Sequence, residues 1–397
     1  MQSSCFEENR SAPRLPEQVR LTKRIVFFRD FAEDCRTSME VYADHLATGV
    51  ARECSEDWRV DSYRPRISCP IAALPISGQP RLRLARYLGY PWQARRKRGD
   101  LNHVIDHSYG HLTLVLESKC TVVTVHDLIP FLRWKGAIPG VAPDRRRPLI
   151  EISLRALKQA GHVIAISENT KRDLVRYLGC DAERISVIYW GIDPSFKPCR
   201  AEKRDHLRAA LGLPADCGSL VLAIGSAFYK NEETSLAVVR KVQEVCSQPV
   251  RLVRLGPITP AWREHVRTAG MSERVVELGA VAHERMWELY NAVDCLLFPS
   301  WYEGLGLPPI EAMACGTPAV TSNAAALPES VGDAGLMAAP GDVRGLAEAL
   351  RIVIEDPVRR REQIAKGISH AGKFSWERAV HETLMVYEKL LQRRVAE

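Results

Sequence analysis

Short, almost wholly apolar runs recur along the chain, and between them lie longer stretches whose apolar positions repeat every three or four residues. In the first half the runs are RIVFF (24–28), the stretch from His103 to His107, CTVVTV (120–125) and HVIAIS (162–167). Runs apolar on both faces predict strands covered on both sides, the signature of parallel sheets flanked by helices. After HVIAIS comes a helical pattern, ENTKRDLVRYLG, with Ser167 placed as its N-cap and Gly179 as its stop. The segment 185–198 begins as a strand and continues as a Gly/Pro-containing link without helical period, which places an interdomain hinge there.

The second half starts afresh with LVLAIGS (220–226), then RLVRLG (251–256), VVELG (275–279), DCLLFPS (294–300) and PAVTS (318–322). Near the end, 374–391 has a helical apolar period with Ser375 as N-cap. The predicted fold class is α/β, two Rossmann-like parallel-sheet domains facing a cleft. The expected division is a disordered lead-in over 1–20, an acceptor-side domain over 21–195 and a nucleotide-binding domain over 196–372. A C-terminal helix in 373–397 is expected to pack back across both domains.

With 46% hydrophobic and 26% charged residues the composition is that of a globular protein. No apolar run reaches a membrane span, and the N-terminus lacks the apolar core of a signal peptide. The eleven cysteines form no CxxC pair, which argues for reduced thiols and a cytoplasmic setting. The net charge of +7 is uneven: residues 1–200 hold 32 basic against 23 acidic residues, and the remaining 23 basic face 25 acidic. Arg95, Arg96, Lys97, Arg98 and Arg145, Arg146, Arg147 concentrate the excess. Such clusters are either a solvated face or attract anionic lipid or a phosphorylated acceptor, giving peripheral contact with a membrane. Neither a reader motif nor interleaved aromatics point to nucleic acid.

Candidate chemistry concentrates in FPSWYEGLGLPPIEAMACGTP, from Phe298 onward. A strand ends there, Gly304 and Gly306 lie in the loop, and Pro308 and Pro309 open a helix closed by Gly316. Ligands of open α/β sheets bind beyond the carboxyl ends of strands, and a helix start suits phosphate. Glu311 suits the vicinal hydroxyls of a ribose, since a carboxylate accepts two hydrogen bonds. Glu303 sits where the sugar end of a donor would reach. A tight turn with Glu311 complementing the helix dipole is the simpler alternative. The turn with Gly225, Ser226 and Lys230 is a second element, its lysine placed to neutralise a leaving diphosphate unless it is a solvated surface charge. The third is His126 with Asp127 at a strand end, either facing the cleft or a satisfied core histidine beside a cap. Asp106, His107 and Tyr109 are placed on the acceptor side. His103, His107 and His111 would align on a helix, but their strand-and-turn context does not converge on a metal, and no Asp-x-Asp pair is present.

These residues carry a resemblance. Glu303 and Glu311 are spaced as in the E-x7-E motif, and FPSWYEGLGLPPIEAMACGTPAVTSNAAALPE resembles glycosyltransferase family 4. The likeness covers most of 100–390, strongest over 275–340. It implies the GT-B fold, with the donor on the second domain, and a retaining transferase of mannosyl or glucosyl type. The expected donor is GDP-mannose or a UDP-hexose, with a front-face mechanism and no metal. The acceptor is then a glycan or lipid-linked intermediate of envelope polysaccharide synthesis. The resemblance implies that Glu311 holds the ribose, Glu303 and His126 meet the donor sugar, and the amides of Gly304, Leu305, Gly306 and Leu307 face the diphosphate and sugar. Relatives carry a phosphate-contacting arginine where this chain has Ser226 and Tyr229, and Arg254 is either its replacement or a residue on a strand edge. The same fold also serves sugar phosphorylases, an epimerase and catalytically silent partner subunits, which are the competing readings.

Overall fold

The structure is a computed structural model describing residues 23–54, 57–214, 218–225 and 227–396, with side chains to 393. The expected lead-in over 1–20 and Ser226 lie outside the described residues.

Two six-stranded sheets organise the chain. The first holds β1 (Lys23–Phe28), β2 (Trp58–Tyr63), β3 (Leu101–Val104), β4 (Thr121–Val125), β5 (His162–Ala165) and β6 (Ile185–Val187), in the order β2-β1-β3-β4-β5-β6. The second holds β7 (Ser219–Ile224), β8 (Val250–Leu255), β9 (Val275–Gly279), β10 (Cys295–Phe298), β11 (Ala319–Ser322) and β12 (Leu336–Ala338), in the order β12-β11-β10-β7-β8-β9. All pairings are parallel. The second order is that of a dinucleotide-binding sheet, with its direction of winding reversing between β7 and β10. In the first sheet the reversal falls between β1 and β3. These two switch points set where ligands have room, because the following crossovers leave to opposite faces.

The helices that frame the switch points and join the halves are α1 (Thr37–Glu53), α2 (Glu168–Asp173), α3 (Glu232–Gln243), α4 (Leu307–Ala314), α5 (Leu327–Val331), α6 (Pro357–Ala371) and α7 (Trp376–Ala396). Ser167 caps α2 through a bond from the Thr170 amide at 3.0 Å, and Gly179 ends that helical segment at φ 62°. The strand expected across 103–107 stops at Val104, and 107–114 winds into a 3-10 helix instead. The Asp106 carboxylate causes the break by accepting the Ser108 amide at 2.7 Å. The last helix begins at the junction, where Trp376 lines a cavity with Tyr290 and Glu311 of the second domain. It packs on α1, with Tyr387 bonded to His103 of β3 at 2.6 Å, while α6 stays against α4 of the second domain. One continuous apolar cluster nevertheless joins the halves, running from Phe27 and Leu46 through Trp190 to Leu296 and Ile310.

Candidate active site

The second sheet's switch point is framed by the turn after β7 and the loop after β10. Gly225 turns at φ 94°, and a Cβ there would lie 3.1 Å from the Lys230 Cγ, so the lysine stem lies across the bare glycine. Its ammonium donates to Glu303 Oε1 at 2.8 Å and stands 4.5 Å above the Phe298 ring. One donor of three is thereby used, leaving two for a ligand. Asn231, which the sequence pattern did not single out, holds this turn at φ 58° by donating to the carbonyls of Pro299 and Pro340 at 2.9 and 2.7 Å. Arg254 is on no strand edge: β8 is interior, and the residue is 2% exposed. It pairs with Glu232 at 2.8 Å, donates to the Gly256 carbonyl at 2.9 Å and stacks on Trp262 at 4.6 Å, so it braces the turn. Tyr229, also without a guanidinium to offer, has its carbonyl bonded to the Trp301 amide at 2.8 Å.

The loop after β10 is fixed by its carbonyls. Ser167 Oγ donates to the Gly304 carbonyl at 2.6 Å, Thr170 Oγ1 does so at 3.3 Å, and Ser330 Oγ donates to the Leu305 carbonyl. Because a trans peptide sets its N–H opposite its C=O, these anchors aim the Leu305 and Gly306 amides away from the hydroxyls. Neither amide has an acceptor among the described residues. Pro308 and Pro309 in the first turn of α4 have no N–H, so the donors at this helix start come from the loop. Gly306, at φ 91°, leaves the room a side chain would take from Leu327 and Ser330.

Glu311 is buried, and Tyr290 donates to its Oε2 at 2.8 Å. Burial raises its pKa against the opposing pull of that hydroxyl. It lines a cavity of about 490 Å³ between the domains, shared with Tyr290, His283, Asp193, His45 and Trp376. That volume is in the range of small-ligand sites.

From the first domain, His126 reaches the junction at the end of β4. Its Nε2 bonds the Ile105 carbonyl at 2.7 Å. A carbonyl only accepts, so Nε2 carries the proton and the neutral ring's Nδ1 is a bare lone pair, buried and unpartnered. Burial pushes its pKa down to about 4, with Asp106 opposing. The two domains approach closely here: a Cβ on Gly304 would fall 2.1 Å from the His126 carbonyl oxygen. A second contact adjoins it, where the Glu329 carboxylate of α5 accepts the first amides of α2, from Glu168 at 2.7 Å and Asn169 at 2.8 Å.

The remaining acceptor-side candidates separate. Asp127 accepts the Ile129 amide at 2.8 Å and serves the next turn as a cap. Asp106 and Tyr109 are each 1% exposed and committed inward, Asp106 to Arg36 and Tyr109 to Asp34 and Arg86, so they do not line an open acceptor surface. His107 keeps partial exposure, between Asp106 and the His126 amide. His103 and His111 bond to unrelated partners, Tyr387 and Ser153. Sequence reasoning missed Asp30 and Arg36, although their place after β1 marks the first sheet's switch point. Asp30 and Asp106 share this buried corner with Arg36, whose Nη1 is 3.8 Å from Asp30 Oδ2. Burial and then its neighbour Asp106 push Asp30 up to about 10; Asp106 is held low, because His107 and Arg36 outweigh the cost of its burial. The pair therefore holds one proton.

Two doubly wound sheets closing on an interdomain cavity are the GT-B architecture of glycosyl transfer enzymes, and this protein has that fold. Sequence profiles agree: the profile for Glycosyltransferase Family 4 matches residues 39–196, and that for Glycosyl transferases group 1 matches 218–356. The O-antigen chain mannosyltransferase B of Escherichia coli is 43% identical over 325 residues, 79% of this chain and 81% of that protein. Among solved structures, sucrose-phosphate synthase of Thermosynechococcus elongatus superposes with a TM-score of 0.71 at 21% identity, covering 94% of this chain and all of that one. Anabaena HepE, solved in complex with UDP and glucose, gives 0.69 at 18% identity, covering 91% of this chain and 99% of the other. The chain belongs to glycosyltransferase family 4 and is a transferase enzyme.

Proposed function

We propose that the enzyme transfers a mannosyl group, with retention, from GDP-mannose to a glycan or lipid-linked acceptor in envelope polysaccharide synthesis. The likeness to the O-antigen chain mannosyltransferase carries this reading, and the site chemistry supports it. The ribose hydroxyls bind Glu311, whose carboxylate Tyr290 keeps in place. The diphosphate lies against the Leu305 and Gly306 amides and takes the two free donors of Lys230. Glu303, held by the same lysine, meets the sugar, and His126 Nδ1 accepts from one of its hydroxyls. The bond from the anomeric carbon to the diphosphate oxygen breaks while the acceptor oxygen bonds on the same face. The acceptor's proton passes to the departing phosphate oxygen. Lys230 and the loop amides stabilise the charge that accumulates there, which is the main demand of the step. With one cation and two amides in place, no metal is needed.

The test is a donor panel of GDP-mannose, UDP-glucose and UDP-galactose, read by nucleotide release and by thermal shift. A donor at one hundred times its Kd stabilises by about 2.7 kcal/mol. GDP-mannose is expected to give the largest shift and turnover that survives EDTA. Turnover only with a UDP-sugar would refute the mannosyl assignment, and activity lost in EDTA and restored by Mn²⁺ would refute the metal-free one.

A further inference from the structure

Over 64–98 the chain holds nine arginines and lysines and no aspartate or glutamate. Two of the nine are neutralised from outside the segment, Arg64 by Glu40 and Arg86 by Asp34. Arg66, Arg83, Arg95, Arg96, Lys97 and Arg98 meet no carboxylate among the described residues. The other basic cluster differs, since Arg146 pairs with Glu151 at 2.7 Å and Arg147 with Asp144 at 2.8 Å. The charge excess noted in the sequence is thus free at one place and compensated at the other.

The backbone is helical from Gly78–Leu84 through a π-turn at Ala85–Gly89 to Tyr90–Lys97. One side of this run is core, with Ala85, Gly89, Tyr90 and Ala94 buried. The other side does what a soluble surface avoids. Leu88 is 65% exposed and Trp92 55%, one helical turn apart, and the Arg96 guanidinium lies 3.5 Å from the Trp92 ring centroid in the next turn. Leu74, just before the run, is 40% exposed. Apolar side chains flanked by unpaired cations fit one environment better than any other: the interface of an anionic bilayer, where tryptophan sits at headgroup depth and arginine meets phosphate. A soluble polyanion would use the cations and leave Leu88 and Trp92 wet.

We infer that the face of 74–98 carrying Leu88, Trp92 and Arg95 to Arg98 docks the enzyme on an anionic phospholipid surface. No described helix is long and apolar enough to cross a membrane, so this contact is peripheral. Its position ties it to the first domain's site end, because Tyr90 donates to the Arg29 carbonyl at 2.6 Å, beside Asp30 in the loop after β1. A bilayer under this face lies beside the end of the first sheet that faces the cleft, where a lipid-linked acceptor arrives.

Sedimentation of the full chain with vesicles of mixed phosphatidylglycerol and phosphatidylcholine tests this, with pure phosphatidylcholine as the comparison. Replacing Arg95, Arg96, Lys97 and Arg98 together by glutamine is expected to weaken binding at least about tenfold. The pair Leu88→Ser and Trp92→Ser is expected to do the same. Glutamine at Arg145, Arg146 and Arg147 is expected to leave binding within about twofold, because two of those charges are already paired. In wild-type protein, lipids brominated near the headgroup should quench a fluorescence component that Trp92→Phe removes, a readout that does not depend on the multiple variants folding. Equal binding to neutral vesicles, no quenching at Trp92, or full competition by a soluble acidic polysaccharide would each overturn the inference.

Discussion

The Gly304→Ala substitution tests whether the cleft must close on the donor loop. Its methyl would fall 2.1 Å from the His126 carbonyl oxygen and 3.0 Å from the Asp127 Cβ. An ordinary carbon–oxygen contact needs about 3.3 Å, so something must yield by about 1.2 Å. The obstacle is backbone at the end of β4, which no rotamer change moves, so relief comes from parting the domains at this point. Overpacking of this kind costs about 1–3 kcal/mol. The contacts opposing separation include the Ser167 and Thr170 bonds to Gly304, the Glu329 bonds to the α2 amides and to the Tyr189 hydroxyl, the Tyr302 bonds with Asn169 at 3.0 Å and with Asp173, and the apolar cluster that joins the halves. Lys230, Glu303, Tyr290 and Glu311 all lie on the second domain and move with the loop. Calorimetry with GDP should therefore give a Kd within about threefold of wild type. Turnover should fall by about a hundredfold, the effect of a displacement near 1 Å between reacting groups. Ser167→Ala, which removes an anchor without a clash, should show the same split at smaller size, and Ser167→Thr should restore part of it. A kcat within twofold of wild type for Gly304→Ala, or a loss of GDP affinity as large as the loss of kcat, would refute the reasoning.

Two further outcomes rest on the buried groups. Glu311→Ala should weaken GDP and GDP-mannose alike by about 1.5–3 kcal/mol, whereas Glu303→Ala should leave GDP binding nearly intact and collapse turnover; calorimetry showing the reverse would exchange the two roles. Burial lowers His103 to about 3 and His111, His126 and His162 to about 4, whereas Asp30 is raised to about 10. The unfolded chain takes up four histidine protons below about pH 6.5 that the native protein refuses, at about 1.4 kcal/mol per pH unit each, and Asp30 opposes with one. Stability should thus fall as pH drops from 6.5 toward 4 and, through Asp30 alone, decline more gently above 7. Melting temperatures equal at pH 5 and pH 7 would contradict these assignments.

How far this molecule was legible in its sequence depended on where each strand and side chain ends up. RIVFF, CTVVTV and HVIAIS coincide with β1, β4 and β5 to within two residues, because both faces of those strands are covered and most positions are apolar. The outer strand β2, WRVDSY, alternates and is partly exposed, and β12 is only three residues long, so neither left an apolar run to find. The helical run over 78–97 was hidden by Pro80, Pro91 and its arginines; its stripe shows up only once the other side is known to be core.

The same logic divides the active site. Gly225 with Lys230 lie on one turn, and Glu303 with Glu311 on a loop and the helix it leads into, so local spacing carried their chemistry. The first domain's contribution comes from loops far apart. Asp30 and Asp106 are brought together only because β1 and β3 are neighbours in the sheet. Asp106 was read within a strand reaching His107, and with no partner in view it was assigned to the acceptor side of the cleft; the strand ends at Val104 and Arg36 draws the side chain inward. Ser167 is the sharpest case. Its capping of α2 was readable from the four residues after it, and that bond is present. Its other bond, to the Gly304 carbonyl, joins residues 137 positions apart. No periodicity or motif encodes that contact, yet it ties the first domain to the loop after β10. In the function proposed, the second domain holds the nucleotide with groups a sequence reader can find. The closure that places a sugar against an acceptor depends on pairings that exist only after both sheets have folded.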